Sequence, residues 1–226
     1  MERNVYLTAI EPGSGKSAVA LGVMEALASL GRVGYFRPIV ASGDQPDNDI
    51  ELIRRRYRLP QTYEESYGAV VDDLRAMSDR GRYEELLKRI LDAYKRLDDS
   101  TDLLLVEGSD FTEASRALEF DFNADVALNL GCPVLLVVRG SNRTVERVLE
   151  VVQLARGSLT GKGCMILATL CNRVDPAILE ELRERVAEVT GDEPAYVLPE
   201  VPELAAPTVA EVATALAAEF LRPVRG

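Results

Sequence analysis

Short apolar runs alternate with amphipathic stretches along the chain. Residues 4–10 form an apolar run that predicts a strand, and residues 11–15 form a glycine-rich loop. From Lys16 to Leu30, apolar residues recur at Val19, Leu21, Val23, Met24, Leu27 and Leu30, a helical period, with Gly31 placed to cap it. Residues 33–41 read as a second strand, in which Pro38 marks an end or an edge. Residues 42–48 are polar and turn-rich, and residues 49–57 read as a helix stopped by Pro60. Residues 61–78 carry a weaker pattern, read as loops with a short helix over 71–77. Over residues 83–97, Leu86, Leu87, Ile90, Leu91, Tyr94 and Leu97 share one side of a helix. A continuous apolar run at 103–106 predicts a strand buried on both faces, ending at Glu107. Helices are expected over 123–130, 144–155, 176–189 and 208–221, the last with Thr208 as N-cap. Strands are expected over 133–138, 164–170 and 194–198.

Strand and helix alternate throughout, without repeats, low-complexity tracts or a composition break. This pattern predicts an α/β fold with a doubly wound, mainly parallel sheet and helices on both faces, built as one domain over residues 1–226. In such sheets ligands meet the carboxyl ends of the strands.

Composition narrows the function. The 226 residues are 47% apolar and 28% charged, ordinary for a globular chain. A net charge of −11 argues against a nucleic-acid binder, which needs a basic face. The absence of histidine excludes Ser-His-Asp and Cys-His catalysis and histidine metal sites. Cys132, Cys164 and Cys171 have no zinc spacing and read as buried thiols of a reduced, cytoplasmic protein. No signal peptide or membrane-spanning run is visible.

Candidate chemistry begins with Glu11-Pro12-Gly13-Ser14-Gly15-Lys16-Ser17, between the first strand and the first helix. Backbone N–H groups of Gly13, Ser14 and Gly15, with the helix N-terminus, suit a phosphate. Lys16 would reach the β- and γ-phosphates, and Ser17 would place its hydroxyl on Mg²⁺. Ile10 stands where the usual motif opens with glycine. Glu107, at the end of a buried strand, is a Mg²⁺ candidate. So is Asp49, within the acidic group Asp44, Asp47 and Asp49, where Asp47 or Asn48 could instead cap the helix. Arg37, at the close of the second strand, could hold an anionic substrate or effector, with Ser42 nearby. Asn172, at another strand end, offers a donor and an acceptor to an adenine edge. No residue is singled out as catalytic.

These pieces together resemble dethiobiotin synthetases, P-loop enzymes with a loop ending in G-K-[ST]. The matching segments are Gly15-Lys16-Ser17, Arg37-Pro38, Asp49, Glu107-Gly108 and Asn172-Arg173-Val174-Asp175-Pro176. The resemblance implies a P-loop NTPase fold, with Lys16 for phosphates, Ser17, Asp49 and Glu107 for Mg²⁺, and Asn172 for adenine. Arg37 departs from the family lysine that holds the substrate carbamate, and Ser109-Asp110 replaces a glycine-rich stretch. Glu11 stands where the wider superfamily often has a lysine.

A closer resemblance, over residues 5–212, is to the N-terminal domain of long-form phosphate acetyltransferases. It is carried by T-A-I-E-P-G-S-G-K-S, F-R-P-I-V, D-N-D-I-E-L, V-E-G-S-D-F and A-P-T-V-A-E-V. It implies a regulatory or assembly module that binds ATP or another nucleotide with Mg²⁺. Its partner would be a C-terminal acetyltransferase domain that performs the reaction of acetyl-CoA with phosphate. Relatedness to dethiobiotin synthetase also implies a homodimer or higher homo-oligomer. Two other readings stand beside it: an ATP-dependent carboxylate or carbamate ligase, and a structural domain with an unused loop.

Overall fold

The computed structural model describes residues 3–41, 46–76, 80–109 and 116–205. Among these residues seven strands form one sheet in which every pairing is parallel: β1 (Asn4–Ala9), β2 (Val33–Val40), β3 (Tyr67–Val70), β4 (Leu103–Glu107), β5 (Val134–Arg139), β6 (Ile166–Val174) and β7 (Ala195–Pro199). Their order is β3-β2-β4-β1-β5-β6-β7. Between them run α1 (Lys16–Ala28), α2 (Asn48–Tyr57), α3 (Val71–Ala76), α4 (Arg80–Asp98), α5 (Arg116–Leu130), α6 (Val145–Gly161) and α7 (Leu179–Thr190), with a short α8 (Pro202–Ala205) after β7. The expected doubly wound α/β architecture is present.

Side chains alternate across the strands and feed two cores. Tyr6, Leu104, Val106, Val134 and Leu136 face α4, α5, α6 and α7. Leu7, Leu105, Leu135 and Val137 face α1 and α2, where Val19, Ala20, Met24, Ile50 and Ile53 meet them. Burial on both faces is the reason the central strands are continuously apolar.

The order places β1 between β4 and β5. Early connections run to one side of β1 and later ones to the other. The crevice for a ligand therefore opens at the carboxyl end of β1, next to β4.

Several elements differ from the sequence expectation. β3 lies within the stretch expected to be loops; it has only four residues and one buried position, too little alternation to read. Upstream of β3, Gln61 continues the edge: its amide oxygen accepts from Tyr35 N at 3.1 Å and its amide nitrogen donates to Tyr35 O at 2.6 Å. Pro38 does not end β2. It falls where pairing passes from β4, which matches Val33–Phe36, to β3, which matches Arg37, Ile39 and Val40. The cap of α1 is Ser29 rather than Gly31, which is not among the positive-φ glycines; Gly131, at φ 65°, does close α5. Helix α5 begins at Arg116 and α6 runs to Gly161, both longer than expected. Strand β6 extends to Val174, so Asn172 and Arg173 lie inside it rather than after it. Ser42, Asp44, Asp110 and the helix expected over 208–221 lie outside the described residues.

Candidate phosphate-binding site

Helix α1 starts directly from the loop after β1. Its N-cap, Gly15, has φ 77° and provides no side-chain hydrogen bond. By contrast, Asp47 caps α2 by accepting from Asp49 N and Ile50 N, and Thr144 caps α6 by accepting from Arg147 N. The first N–H groups of α1 are thus left without a side-chain cap, aimed where an anion would sit. Gly15 is needed there: besides its left-handed backbone, an added Cβ would lie 2.5 Å from Asn172 Nδ2.

Lys16 is buried, and its Nζ donates to Gly108 O at 2.5 Å. That contact reaches from α1 to the loop after β4 and lays the ammonium across the crevice. Gly108 itself is forced by packing, because a Cβ would lie 2.5 Å from Asn123 Oδ1. Asn123 Oδ1 accepts from Ser109 N at 3.1 Å and from Tyr6 Oη at 2.8 Å, while its Nδ2 donates to Ser109 O at 3.1 Å. Ser109 Oγ donates to Ile39 O at 2.6 Å and accepts from Ile39 N at 3.2 Å. A side chain here closes the ladder between β2 and the end of β4, and the loop is fixed.

Glu107 is fully buried at the end of β4. Its Oε2 accepts from Tyr35 Oη at 2.6 Å, while its Oε1 has no hydrogen-bond partner among the described residues. Burial raises its pKa; Lys16 and then Arg37 pull it down, and Asp49 pushes it up again. Burial, and next the Glu107 charge, hold the Tyr35 hydroxyl well above the usual tyrosine range.

Asp49 Oδ2 accepts from Ser17 Oγ at 3.1 Å and from Arg37 Nη1 at 3.2 Å. Arg37 also donates to Asp47 Oδ2 at 2.8 Å. The guanidinium is buried, and its Nε has no acceptor among the described residues. Burial alone would lower the Arg37 pKa, but Tyr35, Glu107, Asp47 and Asp49 more than offset it and hold the charge. The structure thus brings Ser17, Arg37, Asp49 and Glu107 into one cluster beside Lys16. Asp47, one of two caps the sequence left open, is the cap.

Asn172 Nδ2 donates to Ser14 O at 2.8 Å, tying β6 to the loop. Beside it an apolar groove of about 720 Å³ runs between α1 and β7, with Gly22, Leu170, Tyr196, Leu198 and Val201 among its walls.

Three arginines also touch this loop or its flank. Arg143 forms a two-pronged ion pair with Glu11, at 2.5 and 2.6 Å. Arg173 donates to Gly13 O at 2.9 Å and pairs with Glu200 at 2.8 Å. Arg139, the last residue of β5, lies 3.5 Å from the position a Gly13 Cβ would take. The sequence pattern names Arg173 only within the segment from Asn172 to Pro176 and singles out neither Arg143 nor Arg139, although Arg139 ends an apolar run just as Glu107 does. Among the described residues no group of three or more His, Cys, Asp or Glu could hold a metal. All three cysteines are buried.

Comparison with known proteins bears on the family and the fold. The family described as "AAA domain" matches residues 3–210. The chain belongs to this P-loop family. It is homologous to the N-terminal P-loop domain of phosphate acetyltransferases. It is 39% identical to the phosphate acetyltransferase of Nitratidesulfovibrio vulgaris, over 98% of this chain and 32% of that protein. It is 34% identical to that of a Synechocystis strain, over 90% of this chain and 29% of that protein. The chain thus spans about a third of the length of these relatives. It is also 27% identical to the ATP-dependent dethiobiotin synthetase of Anaeromyxobacter dehalogenans, over 90% of this chain and 92% of that one. The P-loop fold recurs in a plasmid partition protein of Borrelia burgdorferi bound to AMPPNP, at TM-score 0.55 and 12% identity over 90% of this chain and 89% of that one. It recurs too in the signal recognition particle 54 kDa protein of Aeropyrum pernix with GDP, at TM-score 0.51 and 16% identity over 95% of this chain and 46% of that one. Among the described residues no helix is long and apolar enough to cross a membrane.

Proposed function

We propose that this P-loop domain binds ATP or a related nucleotide with Mg²⁺ and serves a phosphate acetyltransferase as a regulatory or assembly module. Acetyl transfer between acetyl-CoA and phosphate would then reside in a C-terminal acetyltransferase domain. The observation that carries the nucleotide reading is the uncapped start of α1 beside Lys16, with Glu107 buried and one oxygen unpartnered. Ser17, Asp49 and Glu107 fit Mg²⁺, which takes one or two carboxylates and fills its shell with phosphate oxygens and water. Bound Mg²⁺ would neutralise phosphate charge. This chain's Lys16 and loop N–H groups would orient the phosphates, and the groove beside Asn172 would take the base. Arg37 stays a candidate for an anionic effector.

Calorimetry with ATP, ADP and GTP, each with Mg²⁺, tests this reading. Lys16→Ala is expected to weaken binding by at least about tenfold, the scale of one charge-assisted hydrogen bond. Unchanged affinity would remove the nucleotide reading and favour a structural domain with an unused loop.

The ligase reading has support in the dethiobiotin synthetase match. Against it, Arg37 Nη1 is engaged by Asp47 and Asp49. ADP formation only when diaminopelargonate and bicarbonate are supplied would favour the ligase over the regulatory module. Light scattering tests the proposed homo-oligomer.

A further inference from the structure

The loop after β1 is bordered by three guanidinium groups, and their charges are met differently. Arg143 is compensated by both oxygens of Glu11. Arg173 is compensated by Glu200. Arg139 has no carboxylate partner and no side-chain hydrogen bond among the described residues, and its buried Nε lacks an acceptor. Its backbone is nonetheless fixed: it closes β5 in register with Asn172, and its carbonyl accepts from Arg143 Nη1 at 3.0 Å. Its Nη1 lies against the Gly13 turn, where φ is 72° and no side chain stands between guanidinium and loop. A partly buried cation without a counter-charge is costly, and proteins complete such groups with an acceptor. The acidic side chain at the head of the loop, Glu11, is already held by Arg143. The chemistry that completes the Nη1 end of this guanidinium is an anion on the loop.

We propose that Arg139 is a phosphate-binding residue, donating its guanidinium to a phosphate group of the nucleotide from the β5 side while Lys16 approaches from the β4 side. This rests on the nucleotide reading above. It assigns a phosphate contact to the strand end opposite Glu107. An arginine suits the place, since its planar fork can give two parallel donors to one phosphate.

The test is calorimetry on the wild-type chain, Arg139→Met and Arg139→Lys, with ATP, ADP and adenosine as probes, alongside melting temperatures without ligand. Arg139→Met is expected to weaken ATP and ADP about ten- to a hundredfold, as for a hydrogen bond between charged groups. Adenosine binding should stay unchanged, and Arg139→Lys should fall between. The ligand-free melting temperature of Arg139→Met should hold or rise, because no partner is lost. Equal affinity of Arg139→Met and wild type for ATP overturns the proposal. So does a matching loss for adenosine, a lowered ligand-free melting temperature, or a failure to fold, each of which assigns Arg139 a structural role. A wild-type chain that binds none of the phosphorylated probes removes the nucleotide reading itself, and this contact with it. Binding by wild type with no loss in the variants removes only the contact.

Discussion

At the scale of single residues, the site is defined by charges held where water does not reach. Glu107 has one oxygen on Tyr35 and one with no partner, and burial raises its pKa above the ordinary 4.5. The folded chain therefore holds this proton more tightly than the unfolded chain. Stability is full below the unfolded value and falls as pH rises through the raised folded one. Glu107→Gln cannot ionise and escapes this loss. Its melting temperature minus that of wild type should become more positive as pH rises from the ordinary carboxylate range through the raised folded value. A difference that stays flat with pH would refute the assignment. Gly15 presents a steric case. Its left-handed backbone alone should make Gly15→Ala cost about 1–2 kcal/mol, and the overlap with Asn172 adds to it. In an Asn172→Ala background the added methyl meets less, so denaturant unfolding should show a coupling of about 0.5 kcal/mol or more. Additive costs would mean that Asn172 moves aside freely.

At the scale of elements, the segment after β4 shows how a short connection is fixed. Ser109 supplies both hydrogen bonds that a strand neighbour would give Ile39. Ser109→Ala leaves that buried N–H and C=O unmet. It should cost about 1–3 kcal/mol per group left unmet, read as a lower urea midpoint with an unchanged slope. An unaltered midpoint would mean that water takes over. This role was not legible in the sequence, where Ser109 reads only as a departure from a glycine-rich stretch. Long periodic elements were legible: α4 carries its buried Leu86, Ile90, Ala93, Tyr94 and Leu97 at helical spacing. Elements set by their neighbours were not. β3 exists because β2 offers it an open edge, and Gln61 because its amide imitates a peptide group.

At the scale of the whole molecule, the strand order gathers the site. The ends of β1, β4, β5 and β6 and the start of α2 converge, although their residues are up to 160 positions apart, as Gly13 and Arg173 are. A nucleotide bridging these ends would stabilise the folded chain by mass action, by about 2.7 kcal/mol at a hundred times its dissociation constant. Melting temperature should therefore climb with Mg²⁺-ATP in wild type and climb less in Lys16→Ala. A level curve in both would count against a site shared among strands.

The sequence by itself determined the alternation of elements, the parallel doubly wound class and the loop from Glu11 to Ser17. Each of these is written in local periodicity or in a contiguous motif, which neighbours in space do not alter. It also marked Arg37, Glu107 and Asn172 near strand ends and Asp49 at the start of a helix. Only the tertiary structure decided what each one touches. Arg37 meets Asp47 and Asp49, Asn172 holds the loop through Ser14, Glu11 is taken by Arg143, and Arg139 is left uncompensated. Those outcomes depend on which acceptor packing brings within about 3 Å of a donor, a distance set by strand order and register across the sheet.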